Sequence, residues 1–473
     1  MSKNLKILFI ALLALAVAVP AMAATVTVHG DFDNRFELYT DQASWFDNDG
    51  GHSGILDDDN RSDSFGEIKY RSWAEMATND GAVKGVIGLE IGGTRFGSSG
   101  GGGFSGDGKN FEVRWAYTDF QLPSMDTTGR IRVGLFTNVV NKHFWAETAM
   151  GVKFYTDNWY VAWLRGVDSE TGVNSTTGDA ESWHDGDLDS LIFRYDLKAE
   201  PVKAGFWAVY FMGDTSDDFV DITSLDNPFA SYEVKKLPKS NFDMIALGVD
   251  GSWSTATNQG KLFINWDAIY ESGTLEDASV DGGTTREDID ITGYFIHADI
   301  GLNFGKSTLT FTSYYASGDD PTEDDNDSDA FMQVDVDANY SIIFQEGVAT
   351  NDNYFSERHT FGSVGMFLNK LDYNYAVDKK TKIGAAVLYL LTAEDSVWDS
   401  SAQNGGATNA DDSLGIEFQL YASHKLYDNL QLAWNFAYLA ADDAMDQFET
   451  DKTRNGSADV DVFTSTARIR YQF

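Results

Sequence analysis

Polar and apolar residues alternate within successive short segments of this chain, and this alternation constrains its fold more than any other feature. In the first segment, one parity carries the apolar residues Val26, Val28, Phe32, Phe36 and Leu38. The other parity there carries Thr27, His29, Asp31, Asp33, Arg35 and Glu37. The same pattern recurs in residues 83–91, 111–117, 131–135, 191–197, 414–420 and 430–438. A period of two predicts β-strands whose two faces meet different surroundings.

The connections between these segments alternate between short and long. Eighteen candidate strands begin near residues 25, 65, 83, 110, 130, 149, 159, 188, 202, 241, 261, 288, 306, 360, 381, 413, 429 and 460. Two packed sheets in a soluble protein give no reason for turn and loop to alternate. We therefore predict an all-β, transmembrane antiparallel up-and-down barrel with short periplasmic turns and long acidic extracellular loops. Sixteen or twenty strands are the alternatives, because residues 331–345 have room for another hairpin.

The N-terminus has the pattern of an export signal. Lys3 and Lys6 precede an apolar run over residues 7–19, and Ala21-Met22-Ala23 follows it. Roughly 20 residues are needed to span a bilayer as a helix, so this run is too short to be a membrane anchor. We expect residues 1–23 to be a signal peptide and residues 24–473 to form the barrel.

Composition excludes several classes of protein. The chain has no cysteine, so no disulfide framework or cysteine-based zinc site is expected. Its formal net charge of -40 opposes binding to nucleic acid. The sequence contains no H-E-x-x-H pair of histidines and no phosphate-binding loop ending in Lys-Ser/Thr. We therefore expect no enzyme activity, no metal site and no cofactor.

Clustered carboxylates occupy several of the predicted extracellular loops. Residues 168–187, 318–330 and 393–412 contain acidic residues and neither Lys nor Arg. Oxygen-rich clusters suit Ca²⁺ and Mg²⁺, yet the EF-hand pattern fails, with Ala330 at its glycine and Val336 at its glutamate. We expect solvated loops that hold Ca²⁺ or Mg²⁺ loosely and bridge to neighbouring lipopolysaccharide.

The chain ends in an alternating segment with Ile469, Tyr471 and Phe473 on one face. A final strand ending in an aromatic residue resembles the signal that the barrel assembly machinery recognises in outer-membrane proteins. We therefore expect these three residues to direct insertion into the cell outer membrane.

The whole mature chain resembles the porins of Gram-negative outer membranes. Residues 414–443, with the strand SLGIEFQLYASHKLY, a DN turn and the strand LQLAWNFAYLAADDAM, are similar to alginate-export-type barrels. The resemblance implies a passive, water-filled channel for small hydrophilic solutes and ions, embedded in outer-membrane lipid, with a homotrimer as a candidate assembly.

The charged residues at the inward-facing positions of the predicted strands are the candidate pore-lining residues. The basic ones are Arg35, Arg71, Arg114, Arg132, Arg194, Arg468 and Arg470. The acidic ones are Asp31, Asp33, Glu37, Glu67, Glu75, Glu112 and Glu417. Opposed charges across a lumen order water and favour the passage of small polar solutes. The alternative interpretation is that arginine–carboxylate pairs only brace neighbouring strands.

One connection is too apolar for an exposed loop. Residues 139–147 contain Asn141, Lys142, His143 and Trp145, and we expect them to fold inward as a constriction.

Four functions compete, and an outer-membrane enzyme is the least favoured of them. The first is a general diffusion porin, which an uninterrupted lumen would favour. The second is a substrate-specific channel for anionic sugars or organic acids, which a continuous arginine track would favour. The third is a barrel that serves as a scaffold for a partner protein.

Overall fold

The structure is a computed structural model. The structure describes residues 24–42, 61–97, 111–123, 129–167, 188–214, 241–280, 285–320, 327–334, 336, 338–345, 359–399, 408–448 and 461–473. The predicted signal peptide lies outside these residues and stays a prediction, as does the account of the acidic loop over residues 168–187. Within the described residues, no helix is long and apolar enough to cross a membrane.

Strands account for almost all of the described chain. The first nine are β1 (Ala24–Gln42), β2 (Arg61–Thr78), β3 (Val83–Arg95), β4 (Glu112–Gln121), β5 (Arg130–Asn141), β6 (Trp145–Tyr155), β7 (Trp159–Val167), β8 (Leu188–Ala199) and β9 (Val202–Asp214). The others are β10 (Asn241–Ala256), β11 (Lys261–Val280), β12 (Thr285–Phe304), β13 (Ser307–Ala316), the two-residue β14 (Asp327–Ser328), β15 (Met366–Ala376), β16 (Thr381–Asp399), β17 (Thr408–Tyr427), β18 (Leu430–Ala441) and β19 (Val462–Gln472). Two short 3-10 helices cover Gly362–Val364 and Asp443–Phe448.

The strands form one closed antiparallel barrel of eighteen strands, which confirms the predicted fold class. Each strand pairs with its neighbours in sequence, and β13 pairs directly with β15, because the short β14 only adds a parallel bridge to β12. Pairing of β1 with β19 closes the barrel. Backbone hydrogen bonds between Gly30 and Phe473 complete this seam, at 2.9 and 3.0 Å.

The outer face of the barrel is apolar, as the alternation predicted. On β8, the side chains at one parity are between 39% and 47% exposed, namely Leu191, Phe193, Tyr195 and Leu197. The opposite parity holds Ser190 and Ile192, which are buried, and Arg194. An exposed apolar band of this kind, repeated around a closed barrel, faces the hydrocarbon of a membrane.

Two loop predictions from the sequence were wrong in part. The pattern predicts long loops over residues 273–287 and 393–412, yet β11 and β12 remain paired out to Val280 and Thr285, and β16 and β17 remain paired out to Asp399 and Thr408. Backbone pairing does not need an apolar face, so a polar two-stranded extension continues the strands beyond the alternating pattern. Residues 331–345 were a candidate extra hairpin, and their described part contains no strand.

Short turns join the strands at the end of the barrel opposite the long connections. In the turn between β15 and β16, the Asp378 side chain accepts hydrogen bonds from the amides of Lys380 and Thr381, at 2.7 and 2.8 Å. These bonds lower the pKa of Asp378, because they favour its charged form.

Candidate functional site

Charged side chains cover one side of the lumen, on β19 and β1 to β5, which we call the charged arc. Arg71 donates to Glu90 at 2.6 Å, and Arg114 lies 3.1 Å from the same carboxylate. Arg114 also reaches Glu147 at 3.2 Å. These contacts link the three neighbouring strands β2, β3 and β4, together with β6, into a chain of alternating charges.

A second group of ion pairs lies nearer the short turns. The Asp119 carboxylate accepts from Arg130 at 2.6 Å and from Arg132 at 2.9 Å. Tyr155 donates to the same carboxylate at 2.6 Å. Asp119 is fully buried although both arginines remain partly exposed. Three donors therefore satisfy a carboxylate that would be costly to bury alone.

Every arginine that the sequence placed on the inner face has a carboxylate within 4 Å. The pairs not yet named join Arg35 to Asp33 and Glu67, Arg194 to Asp196 and Asp250, Arg468 to Asp33, and Arg470 to Asp31. This pairing supports the interpretation in which arginine–carboxylate pairs brace neighbouring strands. It weighs against a track of unpaired arginines that would attract anions.

The remaining predicted acidic residues have different surroundings. Glu75 pairs with Lys84 at 3.3 Å near a turn, Glu112 is exposed at the start of β4, and Glu37 is buried. Glu417 lies outside the charged arc and is buried beneath a segment inside the barrel. Their role in lining a pore stays a prediction.

The inner wall on β8 to β12 is partly apolar, a feature that the sequence pattern did not predict. Its buried inward side chains include Ile192, Trp207, Phe211, Met244 and Phe295. They pack against residues from the connections between strands, including Phe144, Phe331, Ile342, Ile343, Phe344 and Phe361. Part of the lumen is therefore filled with a hydrophobic cluster.

Most of this filling comes from the described residues between β14 and β15, numbered 329–345 without 335 and 337, which we call the inner segment. The amide of Met332 donates to the buried Glu271 of β11 at 2.9 Å. At the other end, the amide of Ile342 donates to Glu417 of β17 at 2.8 Å, and the Ser341 hydroxyl donates to the same carboxylate. The inner segment is thus held at both ends by buried carboxylates of the wall.

A further anchor lies next to the Glu417 contacts of the inner segment. The Tyr340 carbonyl accepts from Lys370 of β15 at 2.6 Å and from Gln419 of β17 at 2.9 Å. Gln345 donates to the Tyr314 hydroxyl of β13 at 2.8 Å. Paired polar groups at this depth avoid the cost of burying them unsatisfied.

The second element inside the barrel is the turn between β5 and β6, residues 140–145, which we call the β5–β6 tip. Its residues Asn141, His143 and Trp145 are buried, and Lys142 is exposed. Trp145 stacks on Phe211 with ring centroids 6.0 Å apart. The carbonyl of Phe144 accepts from the amide of Val334, at 2.9 Å, so the tip touches the inner segment. The structure thus brings the four predicted constriction residues to the inside of the barrel, and their role as a constriction stays a prediction.

Three histidines meet where the β5–β6 tip reaches the wall. His143 Nδ1 and His359 Nε2 form a hydrogen bond of 2.8 Å, and the rings of His143 and His297 lie 4.6 Å apart. Asp267 of β11 contacts both His143 and His297. Burial lowers the pKa of His143 to about 4 and the pKa of His359 well below its usual range.

The sequence patterns did not predict this cluster. Residues 143, 267, 297 and 359 lie far apart in sequence, so no short motif joins them. The available signal was the inward parity of Asp267, His297 and Asp299 on two adjacent strands.

The closed eighteen-stranded barrel, its apolar outer face and its charged inner arc define a membrane-spanning barrel of the outer-membrane type. No family model and no curated protein matches the sequence. Among solved structures, the chain is similar to OccK9 (OpdG) of Pseudomonas aeruginosa, with 12% identity, a TM-score of 0.51, and coverage of 95% of this chain and 98% of that one.

Two other solved structures from the same organism are also similar. OccK8 (OprE) has 10% identity and a TM-score of 0.49 over 95% of this chain and 98% of that one. The outer membrane protein OpdK has 8% identity and a TM-score of 0.49 over 94% of this chain and 98% of that one. The similarity to OccK9 shows a shared fold.

Proposed function

We propose that this chain is a passive outer-membrane channel for small hydrophilic solutes and ions. The charged arc is the observation that carries this proposal. The side chains of Arg71, Arg114 and Arg132 face inward and remain 26%, 22% and 23% exposed. Partial exposure of charges on an inner wall is the property of a lumen that contains water.

The β5–β6 tip and the inner segment narrow this lumen from the opposite side. Their apolar residues pack on the wall formed by β8 to β12. The path for solutes therefore runs along the charged arc, with His143 and its neighbours at the edge of the filled region. This arrangement supports a restricted channel in place of a wide and uninterrupted one.

Single-channel recording of the purified, folded barrel in planar bilayers tests the proposal. We expect stepwise ionic currents, and Glu90→Gln should shift the reversal potential toward anions because it removes a carboxylate from the charged arc. Leu191→Ala, on the outer face, is the matched control and should leave the reversal potential unchanged. A folded barrel that conducts no ions would refute the proposal.

A substrate-selective channel for anionic sugars or organic acids is the second candidate. A cavity of about 460 Å³ beside the β5–β6 tip is lined by four basic residues and three acidic ones, namely Lys142, Arg194, Lys198, Lys203, Asp196, Asp250 and Asp267. This volume suits a small solute. Because Arg194 is paired with Asp250, the lysines would supply most of the attraction. Organic anions should then interrupt the current more than neutral solutes of equal size, and equal interruption would exclude this candidate.

The other expectations extend the proposal. Ile469, Tyr471 and Phe473 would serve as the assembly signal, and the acidic loops would hold Ca²⁺ or Mg²⁺ loosely against lipopolysaccharide. A homotrimer and a local similarity of residues 414–443 to alginate-export-type barrels belong to the same set of proposals. A channel of this kind acts without catalysis, so we propose no enzyme activity.

A further inference from the structure

A buried group of histidine and aspartate side chains lies where the β5–β6 tip meets the wall of β11 and β12. We propose that His143, Asp267 and His297 bind one divalent transition-metal ion of the Zn²⁺ class. The inference goes beyond the proposed function, because passive diffusion through a barrel requires no metal ion. It rests on the positions of three donor atoms and on the groups that orient them.

The donor atoms converge from three separate parts of the chain. One donor atom from each residue lies within 4.8 Å of the other two. His143 Nε2 is 3.3 Å from Asp267 Oδ2, and His297 Nδ1 is 2.8 Å from the same oxygen. Ligands about 2.1 Å from a tetrahedral ion lie about 3.4 Å apart. The first distance already matches, and the second needs to lengthen by roughly half an ångström.

Each of the three residues is held by a hydrogen bond on its other polar atom. His297 Nε2 lies 3.1 Å from Asp299 Oδ1, and His143 Nδ1 lies 2.8 Å from His359 Nε2. Asn141 donates to Asp267 Oδ1 at 2.8 Å. Metal-binding histidines almost always use their second nitrogen in this way, which fixes the ring and leaves the first nitrogen free to bind. The outer contacts therefore point all three donor atoms toward one place.

Charge also favours a cation at this place. Asp267 and His297 are buried, and Asp299 is mostly buried beside them. With neutral imidazoles, which is the form that binds metal, the two carboxylates leave a negative charge away from bulk water. Lys142 faces the group from the tip, but its ammonium contacts the Tyr340 hydroxyl at 3.3 Å. A divalent cation would offset the buried carboxylates directly.

The donor set selects the class of ion. Two imidazole nitrogens and one carboxylate suit Zn²⁺, Cu²⁺ or Ni²⁺, whereas Ca²⁺ and Mg²⁺ prefer oxygen ligands throughout. Three protein ligands leave a coordination position for water or a passing anion. A bound ion would also connect the β5–β6 tip to β11 and β12, so it would hold the tip in its inward position.

Isothermal titration of the folded full-length barrel with ZnSO₄ tests the proposal, on protein purified without a polyhistidine tag and stripped with EDTA. We expect one ion per chain, and we expect Mg²⁺ at the same concentration not to compete. Visible absorption of the Co²⁺-loaded protein provides a second measure, because the intensity of its bands reports low-coordinate nitrogen and oxygen ligation.

His143→Gln and His297→Gln should each weaken Zn²⁺ binding more than about 100-fold, since loss of an outer-shell partner alone costs about 10–100-fold. His424→Gln is the matched control, because His424 is exposed and contacts Thr381 near a turn. Circular dichroism verifies that each variant is a folded barrel. Folded wild-type protein that binds no Zn²⁺, or a His297→Gln barrel that binds it as tightly as the wild type, would overturn the metal site. Ion conduction by the same preparations is measured separately, so failure of this proposal is distinct from failure of the channel function.

Discussion

Replacing Glu417 with alanine tests whether the inner segment is held by polar anchors or by apolar packing. The Glu417 carboxylate accepts hydrogen bonds from the Ile342 amide and the Ser341 hydroxyl. A hydrogen bond to a charged group contributes about 1.5–3 kcal/mol. Because two bonds to one acceptor are not fully additive, we take about 3 kcal/mol for the loss, which corresponds to roughly a 100-fold rise in the detached population.

Burial of apolar side chains opposes detachment of the inner segment. Ile342, Ile343 and Phe344 are between 2% and 4% exposed. Full burial of each such side chain stabilises by about 1.5–3 kcal/mol, so the three contribute about 6 kcal/mol at this end of the inner segment. The free energy from apolar burial therefore exceeds the free energy lost with the two hydrogen bonds to Glu417. The segment should detach transiently in Glu417→Ala, without leaving its position on average.

Single-channel recording distinguishes these outcomes. We expect Glu417→Ala to keep the main conductance level of the wild type and to add frequent short transitions to higher conductance. Glu112→Ala removes an equal charge from an exposed position and should add none, which separates anchoring from net charge. Wild-type current noise in Glu417→Ala would show that the anchor is irrelevant, and a stable increase in conductance would show that packing does not dominate.

Three further predictions follow from the ion pairs and the terminal seam. Asp119→Asn should destabilise the barrel by about 2 kcal/mol, measured as a lower urea midpoint in detergent, because it removes the charged acceptor that Arg130, Arg132 and Tyr155 share. An unchanged midpoint would contradict this prediction. Joint replacement of Arg71 and Arg114 by alanine should increase cation preference in reversal potentials, and a shift toward anions would be inconsistent with the pairing. Phe473→Ala should reduce outer-membrane abundance without changing conductance, with the outward-facing Phe304→Ala as control; undiminished insertion would make the terminal motif incidental.

The barrel itself was predictable from the sequence. Alternation in polarity, together with the succession of short and long connections, located all eighteen strands, and several began at the predicted residue, such as β3 at Val83, β5 at Arg130 and β9 at Val202. This success has a physical basis, since each strand must present an apolar face to lipid and every strand edge must be paired. The alternation follows directly from these two requirements.

The filled part of the lumen was not predictable in the same way. Alternation shows that two faces differ, but a face that is buried inside the barrel is apolar like a face that contacts lipid. On β9, Trp207 and Phe211 point inward and are buried, whereas Phe206 and Tyr210 point outward and are exposed. The sequence there is a nearly continuous apolar run. Loss of alternation in such strands is the signal that their inner face is covered.

The histidine cluster shows a second limit. His143 reaches His297 because the β5–β6 tip is bent across the lumen, and His359 joins them after the long connection between β13 and β15. Such a meeting depends on barrel closure and on the path of two inward connections. Neither is encoded in local spacing, so only the three-dimensional structure brings these residues together.

The lumen has an apolar filled side and a charged arc, and this arrangement determines how solutes would permeate. The filled side is packed with buried apolar residues, whereas Arg71, Arg114 and Arg132 of the charged arc stay partly exposed. Pairing at Glu90 and Asp119 cancels most of the local charge, so a passing ion meets alternating dipoles more than a net field. Exposed charges on outer loops are screened over about 8 Å at physiological salt, and they act mainly in dilute solution. Ion preference should therefore depend on salt concentration, while the size limit should depend on the β5–β6 tip and the inner segment.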